Sequence, residues 1–119
     1  MIARQASSVV VIGGGPGGYE AALVARRLGA QVTVVDSDGL GGSCVLTDCV
    51  PSKSLISTAH VVRRMSAATE HGVDISSLSA GTDLRAVNER ILALAAAQSA
   101  DITQRVTSDG IRVCRGTGR

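Results

Sequence analysis

The sequence predicts an α/β domain built on a parallel sheet, and three observations carry that prediction. A continuous β-branched run, Val9-Val10-Val11-Ile12, passes straight into a glycine-rich turn, Gly13-Gly14-Gly15-Pro16-Gly17-Gly18. A second strand-like run, Gln31-Val32-Thr33-Val34-Val35-Asp36, follows after one helix-length segment. Tyr19 is the single aromatic residue in the chain, so Val, Leu, Ile and Ala must do the packing, as they do in parallel layers.

Each element can be justified in order. Val9–Ile12 reads as a strand buried on both faces, because no polar residue alternates with the apolar ones. The segment from Tyr19 to Leu28 is rich in Ala and Leu and ends at Gly29, as a helix does. With the strand Gln31–Asp36 it completes one βαβ unit, whose crossover should be right-handed. Ser37 to Ser43 is a glycine-rich loop. A helix is expected from about Ser43 or Cys44 to about Glu70, with Leu55, Ile56, Ala59, Val62 and Met65 as its buried side. Pro51 removes one backbone donor, so the opening turns of that helix must be irregular. Residues 71–81 form a polar connection, and Thr82-Asp83 supplies a helix cap. Leu84, Val87, Ile91, Leu94, Gln98, Ile102 and Val106 then mark a long amphipathic helix closed by Gly110. Ile111-Arg112-Val113-Cys114 is a third strand, and Gly116-Thr117-Gly118 turns away from it.

The 119 residues suit one domain with a modest core, and 45% hydrophobic content excludes a disordered tail. A net charge of +2 is too even to argue for nucleic acid. No apolar run is long enough to span a membrane. The opening Met1-Ile2-Ala3-Arg4-Gln5 runs into a strand and a glycine turn rather than a secretory h-region, so a cytoplasmic location is expected.

Gly13, Gly15 and Gly18 give G-x-G-x-x-G between a strand and a helix. The first glycine makes the tight turn, the second admits a diphosphate to the backbone, and the third lets helix and strand pack closely. The helix N-terminus that follows the turn offers free N–H groups to that diphosphate. Asp36 closes the second strand, where an acid accepts hydrogen bonds from ribose hydroxyls.

Cys44 and Cys49 lie five positions apart. In a regular helix that is roughly 7.5 Å of rise, so a disulfide needs a distorted first turn. Lys53, four residues after Cys49, and a helix N-terminus would both favour a thiolate. A redox dithiol, two inert buried cysteines and half a metal site all remain open on these residues. Zinc wants four ligands and no matching pair follows. His60 and His71 read as helix-surface residues, and Cys114 as core packing.

Gly41-Gly42-Ser43-Cys44, Cys49 and Val50-Pro51-Ser52-Lys53, placed after the glycine turn and the acid, resemble the redox signature of the pyridine nucleotide–disulfide oxidoreductases. The resemblance covers the whole chain. It implies a Rossmann-like domain for FAD or NAD(P), with FAD over Gly13, Gly15, Pro16 and Gly18, its ribose on Asp36, and its diphosphate also touched by Gly42 and Ser43. It implies that Cys49 faces the flavin, that Cys44 exchanges with a substrate disulfide, that Lys53 lies near the flavin N5 edge and that Gly118 lies near the adenine. In the family, NAD(P)H, flavin, disulfide and substrate form one electron path, and the enzymes are homodimers. The family's nicotinamide domain, interface domain and catalytic His–Glu pair come later in the chain, so residues 1–119 are expected to be an N-terminal portion without turnover of its own. Leu46 and Asp48 depart from the usual Asn and Gly of disulfide reductases. Together with Ala95 to Thr103 they resemble a bacterial branch that includes NAD(P)H:quinone reductases. The electron acceptor or donor is thus expected to be a dihydrolipoyl group or a quinone.

Overall fold

The computed structural model describes residues 7–77 and 81–118. The chain runs β1 (Ser8–Ile12), α1 (Pro16–Arg27), β2 (Gln31–Asp36), α2 (Gly42–Leu46), α3 (Cys49–Ser66), a 3-10 turn (Ala68–His71), α4 (Leu84–Ser108) and β3 (Arg112–Arg115). The strands form one parallel sheet in the order β1-β2-β3. Helix α1 begins three residues before Tyr19, because Pro16 suits the first helical position, where no N–H is needed.

One face of the sheet carries the core. Val9 and Val11 of β1, Val32 and Val34 of β2 and Val113 of β3 turn toward α1 and α4, where Ala22, Leu23, Val106 and Ile111 complete the layer. The other face is open. Val10 and Ile12 are 62% and 70% exposed, so β1 is not buried on both faces as its composition predicts. A β-branched run reports preference for a strand, and burial of the second face needs a second layer of helices. Cys114 pairs in register with Val35 on this open face and is exposed, not in the core.

The expected helix from residue 43 to residue 70 is two helices. Thr47 and Asp48 separate α2 from α3. Pro51 sits in the first turn of α3, where its missing N–H leaves no bond broken. The expected buried stripe on α3 is also absent. No residue of α3 is buried, and Leu55, Ile56 and Val62 are among its exposed apolar side chains. Periodicity shows that a helix has an apolar face; it does not show what covers it. Arg90 of α4 ties this helix down by donating to Thr58 Oγ1 at 2.7 Å and to the Ser54 carbonyl at 3.3 Å.

Asp83 caps α4 as expected, its carboxylate accepting from the Arg85 and Ala86 N–H groups at 2.9 and 3.2 Å. Along α4 the buried residues are Ile91, Ala95 and Val106, while Leu84 and Leu94 are exposed. The N-terminal end of α4, at Leu84 and Val87, lies beside Leu55, Ala59 and Val62 of α3. His60 and His71 are exposed. Residue 81 of the predicted polar connection is described, whereas 78–80 lie outside the described residues. Among the described residues no helix is long and apolar enough to cross a membrane.

Leu23 is 1% exposed and Leu28, five residues on at the end of α1, is 83% exposed. Leu23→Ala should therefore cost about 2–5 kcal/mol in urea denaturation, and Leu28→Ala less than about 0.5 kcal/mol. Equal effects would contradict this core.

Candidate functional site

The candidate site lies at the carboxyl ends of the strands, where open α/β sheets bind ligands. Gly13 leaves β1 with φ +96°, a conformation that side chains resist, and its N–H donates to the Val35 carbonyl at 2.8 Å. Gly15 caps α1 with no side chain bonded to the helix end. A Cβ added at Gly13 or Gly15 would meet nothing within 4 Å, so the turn is open on its outer side. A Cβ at Gly18 would collide with the Gly13 carbonyl oxygen, which is the close packing expected of the third glycine.

Asp36 joins these parts. Its Oδ2 accepts the Gly14 N–H at 2.7 Å, and its Oδ1 accepts the Asp38 and Gly39 N–H groups at 2.9 and 2.8 Å. Its own carbonyl accepts the Gly116 N–H at 2.9 Å, which pins the end of β3 to the same place. Partial burial pushes the carboxyl upward, but the three backbone N–H groups together outweigh it and hold Asp36 below the ordinary value.

The loop after β2 folds back on the glycine turn. Gly41 N–H donates to the Gly14 carbonyl at 2.7 Å. Gly42, at φ +55°, packs so close to Gly15 that a Cβ would lie 3.0 Å from the Gly15 Cα. Ser99 of α4 fixes the loop from behind, its hydroxyl donating to the Leu40 carbonyl at 2.6 Å. Gly118 lies against Ile12 at the end of β1. The structure thus brings Gly13, Gly15, Pro16, Gly18, Asp36, Gly42, Ser43 and Gly118 to one end of the sheet.

An FAD molecule can be tested against this cradle. The uncapped helix end and the clearance at Gly13 and Gly15 fit a diphosphate. A carboxylate offers about four acceptor positions, and three N–H groups leave Asp36 one for a ribose hydroxyl. The residues present fit the group.

Cys44 stands on α2 and Cys49 opens α3, so the break at Thr47–Asp48 supplies the distortion that the spacing requires. The Asp48 N–H reaches back to the Ser43 carbonyl at 2.8 Å, which folds the two helix ends together. Both thiols are free and neighbour one another across the break. The Cys49 thiol nearby raises the Cys44 thiol above its ordinary value, helped by partial desolvation and by the charge of Asp48, with Lys53 opposing. The thiolate-favouring effect expected from Lys53 is therefore present but outweighed at Cys44. Among the described residues no three His, Cys, Asp or Glu side chains cluster as metal ligands would.

Two contributors were not singled out in the sequence, and a third was marked only as a departure from the family pattern. Gly14 lies between the motif glycines, yet its N–H meets Asp36, and a Cβ there would strike Leu40. Ser99 acts across 59 positions and has no local signature. Asp48 sits at the start of α3 but accepts no capping bond; its departure from the family pattern is its only signal.

A parallel sheet, a glycine turn at a helix end and two free cysteines beside it define an α/β domain of the Rossmann type. The family model described as pyridine nucleotide-disulphide oxidoreductase matches residues 7–118, and the chain belongs to that family. It is 46% identical over 113 residues to an NAD(P)H dehydrogenase (quinone) of Mycobacterium tuberculosis, covering 92% of this chain and 23% of that protein. It is 36% identical over 111 residues to a dihydrolipoyl dehydrogenase of Bacillus subtilis, covering 93% and 23%. The crystal structure of LpdA from Mycobacterium tuberculosis superimposes with a TM-score of 0.85 at 43% identity, over 93% of this chain and 24% of that one. The chain spans about a quarter of the length of these relatives.

Gly15→Ala should leave thermal stability unchanged or slightly higher, because φ −65° suits alanine and the space is open. Gly18→Ala should cost about 1–3 kcal/mol or more by overpacking. Asp36→Asn should cost about 1–2 kcal/mol after allowance for solvent exposure. Because the Asp36 value is depressed in the folded state, its contribution is full above the unfolded value of 3.8 and is lost as pH falls through the lower folded value. Urea denaturation at neutral and acid pH reads all three changes, and the Asp36→Asn difference should close in acid.

Proposed function

We propose that residues 1–119 are the FAD-binding portion of a flavin-dependent NAD(P)H–disulfide oxidoreductase, most like dihydrolipoyl dehydrogenase, in which Cys44 and Cys49 form the redox pair. The observation that carries this reading is the placement of two free cysteines on either side of the α2–α3 break, the first of them two residues beyond the glycine that packs on Gly15. The nicotinamide and dimerisation domains belong to further sequence, and the working protein is a cytoplasmic homodimer. The compartment suits free thiols.

Bound FAD would supply a two-electron centre between nicotinamide and dithiol. The chain's own residues divide the remaining tasks. Gly13, Gly15 and the opening of α1 receive the diphosphate, with Gly42 and Ser43 on its other side. Asp36 takes a ribose hydroxyl, and Gly118 borders the adenine. Lys53 places a positive charge beside the cysteines. On oxidation Cys44 and Cys49 each give up one proton and one electron as the S–S bond forms, and reduction returns them.

A second reading is a quinone reductase on the same fold, in which the cysteines are not used. It is favoured by the 46% identity to a protein named for quinone reduction and by the raised Cys44 thiol.

Anaerobic dithionite titration of the protein extended to its relatives' length separates the two. A long-wavelength absorbance band at the two-electron stage is expected. Direct bleaching without that band would favour the quinone reductase. Cys44→Ser should abolish lipoamide turnover in the first case and leave quinone reduction intact in the second. The 119 residues alone should show no NADH-dependent turnover, and rates of roughly 1–1000 per second would overturn that expectation.

A further inference from the structure

Asp48 has the position of a helix cap but does not act as one. It precedes Cys49 at φ −126° and ψ −93°, a conformation outside the extended range usual for caps, and its carboxylate accepts no bond from the start of α3. Its backbone is held on both sides: the N–H donates to the Ser43 carbonyl at 2.8 Å, and the carbonyl accepts the Ser52 N–H at 2.9 Å. The backbone that carries this exposed side chain is therefore fixed at the break that joins the two cysteine-bearing helices, within one turn of Cys44 and next to Cys49. Cys44 on α2 and Cys49 and Lys53 on α3 are the other members of this group. Among charged and titratable side chains, Cys49, Lys53 and Asp48 bear on Cys44; α4, which also packs on α2, presents Ser99 there and adds no charge to the set.

We propose that Asp48 is a positioning residue that slows disulfide interchange at Cys44, its uncapped carboxylate opposing the negative charge that the attacking sulfur must carry. Interchange requires a thiolate. The Cys44 thiol is held above its ordinary value, in the direction that Asp48 imposes and Lys53 opposes. This deepens the dithiol reading and rests on it for the use made of the pair, but the thiol chemistry itself needs no flavin.

The test uses the 119-residue chain carrying Cys114→Ser, since Cys114 is an exposed third thiol outside the group. The probe is dithiodipyridine, a neutral disulfide, which avoids charge repulsion between probe and carboxylate. The Cys44 thiolate attacks one probe sulfur, the probe S–S bond breaks, and one thiopyridone leaves with the electron pair and gains a proton. Cys49 then loses its proton to solvent and attacks the Cys44 sulfur, forming the internal disulfide and expelling a second thiopyridone.

Asp48→Asn should raise the neutral-pH rate about 1.5- to threefold: the Coulomb effect of a unit charge roughly 4–8 Å away in water, reduced by about half because a less basic thiolate is a weaker nucleophile. The inflection of its pH–rate profile should move down, toward the ordinary thiol range. The gain should shrink between about 0.01 M and 1 M salt, as screening shortens from about 30 Å to about 3 Å. Asp48→Glu should restore the slow rate. Should Asp48→Asn lose its helical circular dichroism, Asp48→Ser removes the same charge and leaves a residue suited to a helix start.

An unchanged rate would overturn the proposal. So would a faster rate that ignores salt and is shared by Asp48→Glu, because that pattern marks loosened structure instead of charge. Product mass separates this failure from failure of the dithiol reading. An internal disulfide without a pyridyl group means that the pair works whatever Asp48 does, whereas retained pyridyl groups on both cysteines mean that no pair exists.

Discussion

Three backbone N–H groups converge on the carboxylate of Asp36, and the rest of the site depends on that convergence. One N–H comes from the glycine turn and two from the loop after β2, and the residue's own carbonyl holds the end of β3. A backbone donor left without a partner costs free energy comparable to a lost hydrogen bond. Gathering three of them on one charged acceptor fixes the turn, the loop and the third strand relative to one another. The open cradle at Gly13 and Gly15 can stay free of side chains because its shape is imposed from behind.

The cysteine pair is built by a different device. The end of α2 and the start of α3 overlap through the bonds of Thr47 and Asp48 to the Ser43 carbonyl. Two short-range backbone contacts thus bring together sulfurs that a continuous helix would separate along its axis. Lys53 and Asp48 place opposite charges around the result, and the balance at Cys44 falls on the side of the neutral thiol. The family resemblance gives the pair its expected role; the local electrostatics hold Cys44 toward its neutral thiol.

Much of the fold was legible because it is local. The bounds of β2 could be read between Gly29 and Ser37, and the Asp83 cap could be read from its place before an apolar repeat. The glycine turn announced its own geometry, down to the missing clearance at Gly18. The illegible parts depend on neighbours. The open sheet face moved Cys114 out of the core, and uncovered α3 left Leu55 and Ile56 exposed, because patterning names an apolar face without naming its partner. Pro51 announced irregular opening turns, but a missing backbone donor does not say that the helix stops at Thr47 and starts again at Cys49. Gly14 donates to a carboxylate 22 positions away and Ser99 to a backbone carbonyl 59 positions away, distances at which a sequence carries no periodic signal.

The pinning of Gly116 to Asp36 has a consequence for the order in which the molecule assembles. β1, α1 and β2 are contiguous, so their pairing closes a short loop, whereas β3 pairs Thr33 with Arg112 and must close one more than twice as long. Contacts of larger separation are generally slower to form. The βαβ unit should therefore nucleate first, with β3 arriving after α4 has been laid down. Until then the carbonyl of Asp36 lacks its Gly116 partner and Gly118 is not beside Ile12. A ligand that needs the completed rim would bind only the late species, and by mass action would draw the folding equilibrium toward it.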